Sequence, residues 1–544
     1  MKNKLGWDRV NSGRTSPRSA RSAAWTLALI GTAVFLIVGL HVTLYAASPG
    51  LTDRVIEHRL ANGLTVLMVE RHQTPIVSIN MTFAVGGVNE QIGQTGLAHL
   101  YEHMAFKGTR TVGTKDYAKE APILAELHRV GTELEQRQRE LAKRNGEAAA
   151  SEAESAAIDK LQKRFKELQD QATQYVAGNE MAMLYQRHGG IGLNAATGKD
   201  LTRYVINLPS NRLPLWAAIE ADRMANPVLR EFYKERGVVM EERRLRNDDS
   251  PTGLLFETFT SAAFRAHPYG IPTIGWESDI LSLTPAEAEA FFKTYYGPGR
   301  ATIGIVGDIN PKEVIELIEN TFGKIPPSPP PPPVVTVEPP QRGERRVEVE
   351  FDAEPQLVIG FHKPGLGQPD DYVFDVIDEI LTDGLTSRLY TKLVRDGRLA
   401  AAVNSDANYP GVRAPNLFLI HATPLAPHTA SEVEAAILAE LERLKTEPVS
   451  QKELERVVNN LDADLVRALR SNSGLASQLA LYQTVAGDWR YVIKSRDKIA
   501  AVTPADIQRV ASQYFTKSNR TVATLVKKGA EKQAAAVAVS EVAR

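Results

Sequence analysis

A run of prolines in the middle of the chain places the strongest limit on the fold, because it separates two stretches with the same order of predicted elements. The run is PPSPPPPP at residues 326–333, followed by Pro339-Pro340. Consecutive prolines favour a stiff extended conformation, so we predict a linker at 326–340; a proline-rich ligand for a partner domain is the alternative. The repeated order predicts an internal duplication with halves at 51–325 and 341–527.

Each half begins with strands that lead into an amphipathic helix. Strands are predicted at residues 55–60, 64–70, 76–85, 193–209, 301–309, 347–353 and 357–363. Helices are predicted at 95–107, 212–225, 230–247, 370–381 and 387–395. Thr95 is expected to cap the first of these helices and Gly108 to end it.

The segment at residues 117–177 differs in character from its surroundings. Leucines recur every seven residues at Leu127, Leu134 and Leu141, and charged residues and Gln fill the gaps. This spacing predicts an antiparallel helical hairpin inserted into the first half, although ordinary surface helices have the same pattern. We assign the segment no chemistry.

The first 47 residues resemble a targeting segment. Residues 1–22 carry six basic side chains and one acidic side chain, and residues 23–47 form an apolar run. A helix of that length crosses a bilayer core of about 30 Å, and the basic flank should stay in the cytoplasm. The run is long for a cleaved signal peptide, which favours a transmembrane anchor and export of the remaining chain. The tail at 528–544 is predicted to be mobile.

The 544-residue chain contains no cysteine, and its 64 Lys and Arg residues balance 65 Asp and Glu residues. The absence of cysteine excludes disulfides, iron–sulfur clusters, thiolate zinc sites and cysteine nucleophiles. A net charge of −1 argues against nucleic acid as a partner. Any metal site in this chain must therefore be built from His and carboxylate side chains.

The predicted helix at 95–107 contains such side chains. Residues 99–103 read His-Leu-Tyr-Glu-His, so His99 and His103 share one helix face and can bind one ion. Glu102 projects beside them and could polarise a water. The H-x-x-E-H spelling is that of the inverted zincin motif, although two histidines on a helix are otherwise more often packing residues.

A catalytic zinc needs a third protein ligand, and the segment KERGVVMEERR offers three carboxylates for it. Glu235 and Glu242 are seven residues apart and share one helix face, whereas Glu241 is rotated by about 100°. A solvated charged helix is the alternative, but the apolar residues at 238–240 argue against it.

The blocks around these residues resemble the pitrilysin/insulinase (M16-type) family of zinc metallopeptidases, the inverzincins, and in particular bacterial members related to the mitochondrial processing peptidase. GLAHLYEHMAFKGT (Gly96–Thr109) is similar to the family's active-site helix, and GGIGLNAATGKDLTRYVINLP (Gly189–Pro209) to its edge-strand signature. ADRMANP and ERGVVMEERRLRNDDSP are similar to its third-ligand block, and HPYG and IGIVGD also fit. The resemblance covers residues 51–525.

This resemblance implies an α+β fold of two similar halves, each a mainly antiparallel sheet flanked by helices, arranged as a clamshell around a chamber. It implies one Zn²⁺ per chain, bound in the first half by His99, His103 and Glu242. Glu102 would be the catalytic general base, and Glu235 the supporting carboxylate that orients a ligand.

The resemblance also implies substrate-binding positions. Asn194 and Ala195 match the positions that hold an extended peptide at the edge strand. In the family's second half an Arg and, seven residues later, a Tyr hold the substrate; Arg395 matches the first position, but Ala402 stands at the second. Tyr409 is too far along the chain to be taken as the equivalent. In relatives that carry the zinc site and this Arg–Tyr pair on different subunits, a partner subunit supplies the pair. The resemblance therefore implies a homo- or heterodimer with a second family subunit.

The predicted function is that of a zinc-dependent metalloendopeptidase, which hydrolyses peptides or small unfolded proteins in an enclosed chamber. The N-terminal segment is expected to contact a membrane. The expected location is the periplasmic side of a bacterial inner membrane, or the soluble periplasm after cleavage. The alternative is a non-catalytic peptide-binding scaffold, or an assembly subunit that uses the helical hairpin as its functional surface.

Overall fold

The structure, a computed structural model, describes residues 50–144 and 151–528. The predicted basic and apolar N-terminal segments, and the predicted tail beyond residue 528, lie outside the described residues. Within the described part, no helix combines the length and the apolar character needed to span a membrane. The short helix α1 (Leu51–Arg54) is not part of the compact unit that starts at Val55.

From Val55 onwards, the described chain forms two sheets with helices packed on them. The strands are β1 (Ile56–Arg59), β2 (Thr65–Glu70), β3 (Ile76–Phe83), β4 (Ile191–Thr197), β5 (Thr202–Pro209), β6 (Ala301–Gly307), β7 (Arg345–Phe351), β8 (Gln356–Lys363), β9 (Ala400–Tyr409), β10 (Asn416–Pro424) and β11 (Arg520–Lys527). The helices of the first half are α2 (Leu97–Met104), α3 (Tyr117–Lys143), α4 (Glu152–Thr173), α5 (Glu180–Arg187), α6 (Leu213–Ala225), α7 (Phe232–Arg243), α8 (Pro251–Ala263), α9 (Glu277–Ser282), α10 (Pro285–Tyr295) and α11 (Pro311–Thr321). Those of the second half are α12 (Asp371–Leu381), α13 (Ala430–Thr446), α14 (Gln451–Arg470), α15 (Asn472–Ala486), α16 (Tyr491–Ala500) and α17 (Pro504–Tyr514).

The two sheets repeat one topology. The first has the strand order β1-β2-β6-β3-β5-β4, and the second has the order β7-β11-β8-β10-β9. Each sheet contains one parallel pair, β2 with β6 and β7 with β11, and the other pairs are antiparallel. This repetition confirms the predicted α+β fold of two similar halves with mainly antiparallel sheets.

Each sheet is covered on one face by a helix from the other half. Helix α8 packs on the second sheet, where a Cβ atom added at Gly360 would lie 2.4 Å from Phe259 Cζ. Helix α15 packs on the first sheet, where a Cβ atom added at Gly304 would lie 2.4 Å from the carbonyl oxygen of Ala476. Residues Gly304 and Gly360 therefore allow these helices to approach the strands closely.

Helices α3 and α4 pack against each other within the segment where the sequence predicts a hairpin. Their shared core contains Leu127, Val130, Leu168 and Ala172. The pair is tied to the rest of the first half by Arg230, which precedes α7. Its Nε and Nη2 atoms donate to the two carboxylate oxygens of Glu120 on α3 at 2.6 and 2.9 Å.

Candidate active site

Two helices bring two histidines and a glutamate close to one another. His99 and His103 lie on α2 with their ring centroids 4.9 Å apart, and Glu242 lies on α7. His103 Nε2 is 3.3 Å from Glu242 Oε2, and His99 Nε2 is 3.7 Å from Glu242 Oε1. One ligand atom from each residue lies within 4.8 Å of the other two. Two imidazole nitrogens and a carboxylate oxygen form a ligand set that suits catalytic zinc.

The start of α2 is fixed by a buried carboxylate. Gly96 N donates to Glu90 Oε2 at 2.8 Å, and Ala98 N donates to Glu90 Oε1 at 2.7 Å. Glu90 therefore satisfies free N–H groups at the helix N-terminus. The prediction that Thr95 caps this helix is wrong, because Gly96 holds the cap position and the Thr95 hydroxyl donates to Asp279 at 2.7 Å. The helix also ends earlier than predicted, before Gly108.

Helix α7 presents one face to α2, as its helical spacing predicts. The side chains of Glu235 and Glu242 are 9% and 17% exposed, whereas that of Glu241 is 66% exposed. Glu235 Oε2 lies 3.6 Å from His103 Nδ1, and Glu235 Oε1 lies 2.5 Å from Lys107 Nζ. His103 is therefore held between Glu242 at one ring nitrogen and Glu235 at the other.

The surroundings act differently on the two histidines. Burial lowers the pKa of His99 to about 4, so its ring is neutral and has a lone pair for a metal ion. Burial also acts to lower the pKa of His103, but Glu235, Glu242 and Glu102 raise it more, and the pKa ends above its ordinary value. Three carboxylates around His103 thus favour a positive charge at this position, which a divalent cation can supply.

Glu102 lies beside this group and is held by a strand residue. Its Oε2 atom accepts a hydrogen bond of 2.6 Å from Thr197 Oγ1 at the end of β4. Burial raises the pKa of Glu102, and the Thr197 hydrogen bond only partly opposes this effect. A partly buried carboxylate with a raised pKa is suited to accept and return a proton.

The matched peptide-binding positions lie at the edge of the first sheet. Asn194 and Ala195 on β4 pair with Val205 and Tyr204 on β5. In the described part of the chain, the other edge of β4 has no strand partner. An extended peptide can add to such an edge through main-chain hydrogen bonds. Because β4 also carries Thr197, a peptide there would lie next to the residue that contacts Glu102.

A cavity of about 350 Å³ adjoins His99 and is lined by residues from both halves. The second half contributes Tyr409, whose hydroxyl is 2.8 Å from Thr260 Oγ1 on α8. Arg395 does not line this cavity in the described structure; its half-exposed guanidinium pairs with Asp396. The structure therefore brings Tyr409, and not Arg395, into the cavity next to the histidines.

Some contacts of this site escaped the sequence analysis. Arg246 Nη1 lies 2.9 Å from Glu242 Oε1, and its position four residues after Glu242 is a helical spacing that could have indicated the pair. Lys107 follows His103 by four residues in the same way, although α2 ends before it. Thr197 comes from a distant strand, and no local pattern links it to Glu102.

Comparisons with known proteins agree with this geometry. Residues 65–162 and 165–277 match the model of the family "Insulinase (Peptidase family M16)", and residues 282–461 match "Peptidase M16 inactive domain". The zinc protease PqqE of Helicobacter pylori is 28% identical over 509 residues, which cover 91% of this chain and 98% of that protein. An uncharacterized zinc protease of Rickettsia bellii is 24% identical over 464 residues, which cover 85% of this chain and 95% of that protein.

Solved structures share the fold. A protease from Helicobacter pylori matches with a TM-score of 0.72 and 27% identity, over 87% of this chain and 99% of that chain. The periplasmic protease PqqL from Escherichia coli matches with a TM-score of 0.63 and 17% identity, over 88% of this chain and 48% of that chain. With the two family models on successive parts of the sequence, and zinc proteases similar along nearly its whole length, the chain belongs to the pitrilysin/insulinase (M16) peptidase family.

Proposed function

We propose that this protein is a zinc-dependent endopeptidase that hydrolyses peptides or small unfolded proteins. The observation that carries the proposal is the convergence of His99, His103 and Glu242, with Glu102 on the same helix as the histidines. Catalytic zinc sites use three protein ligands and keep one position open. The names of the similar zinc proteases support the same activity.

In the proposed reaction, zinc would polarise the scissile carbonyl and lower the pKa of a bound water to about 7. Glu102 takes the proton of the attacking water and returns it to the leaving amine, a role that its raised pKa favours. Thr197 holds the Glu102 carboxylate in place by its hydrogen bond. Glu235 orients His103 from the opposite ring nitrogen, as carboxylates behind metal-binding histidines generally do.

The substrate would bind as an additional strand along β4, at Asn194 and Ala195. Main-chain hydrogen bonds would supply most of the affinity, so side-chain preference is expected to be broad. The cavity next to His99, with Tyr409 in its lining, would receive part of the chain near the scissile bond.

The location and the partner are also proposals, and they rest on the sequence. The basic and apolar segments before residue 48 support export, either anchored at the periplasmic side of a bacterial inner membrane or released into the periplasm. Ala402 stands where the family pattern has a Tyr, which supports a homo- or heterodimer that supplies the missing group. If the chain cleaves peptides at full rate while light scattering shows only a monomer, the dimer proposal fails.

The proposed activity is tested with the full chain, purified in a non-ionic detergent and incubated with a mixed peptide library. We expect cleavage products by mass spectrometry, their loss with a chelator and their return when zinc is added. The variant Glu102→Gln should lose cleavage, and the exposed neighbour variant Glu241→Gln should keep it. Zinc-loaded protein that binds peptides without cleaving any of them would overturn the proposal in favour of a peptide-binding scaffold.

A further inference from the structure

The second half carries carboxylates at the place that corresponds to the histidine pair. Helix α12 follows β7 and β8 as α2 follows β2 and β3, and α14 occupies the position of α7 in the repeated order. On α12, Asp375-Val-Ile-Asp378-Glu379 has the spacing of the H-x-x-E-H residues on α2. On α14, Asp462 lines one cavity together with these three carboxylates.

A cavity of about 590 Å³ lies between α12, α14, α15 and α16. The carboxylates in its lining are Asp375, Asp378, Glu379, Asp462 and Asp497. Among the described residues, Arg496 is the one basic residue in the lining, and its guanidinium pairs with Asp462. The nearby Lys363 is paired with Asp371 at 2.6 Å. The rest of the lining includes apolar side chains from Val458, Leu461, Leu465 and Ile499.

One of these carboxylates has a buried oxygen atom to which no N–H group donates, and its neighbour is a second carboxylate, Asp383. Glu379 is 8% exposed, and its Oε2 atom accepts no hydrogen bond in the described structure. Burial raises the pKa of Asp375 to about 7 and, together with the nearby Asp383, that of Glu379 to about 8. Buried carboxylates are unfavourable without compensating charge, and a bound cation would supply that charge.

We propose that this cavity binds an organic cation, namely an ammonium or guanidinium group carried on an alkyl chain. Its volume lies in the range of small-ligand sites and exceeds what a single metal ion fills. Among the described residues, the one group of three or more His, Asp or Glu side chains that converges closely enough to hold a metal ion is His99, His103 and Glu242. The carboxylates are therefore spaced for a larger cation, and the apolar lining suits its alkyl part.

Two sources carry this chemistry: a free polyamine, and the side chain of Lys or Arg in a peptide. The full chain in non-ionic detergent is titrated calorimetrically with spermidine, with a short peptide that contains one Lys, and with the matching Ala peptide. Peptides are tested on the Glu102→Gln variant, which prevents cleavage without altering the second half. Saturable binding of spermidine, or of the Lys peptide but not the Ala peptide, supports the proposal and identifies the source.

Variants then locate the site. The double change Asp375→Asn with Glu379→Gln should weaken binding by about tenfold or more, because it removes two carboxylates from the lining. The change Glu442→Gln on the exposed face of α13 is the matched control and should leave binding unchanged. The change Arg496→Gln should tighten binding, since Asp462 loses its competing cation. That opposite effect keeps the proposal testable if the double variant fails to fold.

Three results would overturn the proposal. The first is the absence of saturable binding both of spermidine to the wild-type chain and of the Lys peptide to the Glu102→Gln variant. The second is equal binding by the wild type, the double variant and the Arg496→Gln variant. The third is saturable binding of Ca²⁺ or Mg²⁺ alone that the double variant abolishes, because this would make the cavity a metal site.

Discussion

The buried pair of Arg230 and Glu120 is expected to hold the candidate active site together. The side chains of Arg230 and Glu120 are 1% and 0% exposed. Arg230 also donates to the carbonyl oxygens of Lys107 and Thr109, at 2.7 and 2.9 Å, in the loop that follows α2. Since Arg230 lies two residues before the start of α7, this one guanidinium connects the loop after the helix of the histidines, the start of the helix of Glu242 and the inserted helix α3.

The change Arg230→Met removes this cation and leaves the Glu120 carboxylate buried without a partner. Breaking a buried ion pair in this way costs about 3–5 kcal/mol, which is a large part of the stability of an ordinary domain. The double change Arg230→Met with Glu120→Leu should cost clearly less, because it leaves no uncompensated charge. The free energy of unfolding is measured by urea denaturation, and the zinc content is measured in parallel by mass spectrometry.

Two outcomes would refute this reasoning. If the free energy of unfolding of the single variant is lower by less than about 1 kcal/mol, the buried pair contributes no more to stability than an exposed ion pair. If the double variant is as unstable as the single variant, the loss comes from packing or from the hydrogen bonds to the Lys107 and Thr109 carbonyl oxygens, and not from an unpaired buried carboxylate. A matched control is Arg129→Met on α3, whose exposed guanidinium pairs with Glu126 and Glu133 and should contribute little to stability.

Three further predictions concern residues around the histidines. Glu102→Gln should lower turnover by about 10²–10⁴-fold at unchanged zinc content, and retained peptide hydrolysis would remove Glu102 from its proposed role. Glu235→Gln should weaken zinc binding by about 10–100-fold in a competition assay with a chelator, whereas an unchanged zinc affinity would mean that Glu235 does not orient His103. Glu90→Gln leaves one N–H group at the start of α2 without its acceptor, so the free energy of unfolding should fall by about 1–3 kcal/mol in a thermal unfolding experiment. Equal stability of variant and wild type would contradict the capping role of Glu90.

Local periodicity predicts the part of the site that lies on single helices. The four-residue spacing of His99 and His103 and the seven-residue spacing of Glu235 and Glu242 each indicate a shared face, and the structure has these faces turned towards each other. The repeated order of strands and helices likewise indicates the duplicated topology. Residue spacing and element order can both be read from the sequence, because side chains repeat every 3.6 residues along a helix and every two residues along a strand.

Contacts between distant segments could not be predicted in this way. Threonine is a residue type that often caps helices, so Thr95 is the candidate that the sequence offers. In the structure the N–H groups at the start of α2 instead donate to Glu90, which lies in an earlier turn. Nothing near Thr197 indicates that it contacts Glu102. In the structure α8 and α15 each bury one face, but nothing in their own sequences says which sheet receives that face.

The crossed placement of α8 and α15 has a consequence for the integrity of the molecule. Each half has a hydrophobic core of its own, but each sheet obtains one of its covering helices from the opposite side of the proline run, so one apolar sheet face is exposed when the other half is missing. A protease cut within the proline run should therefore leave two fragments that remain associated as a non-covalent complex. Genes that encode the halves separately should yield soluble protein only when both are expressed in the same cell.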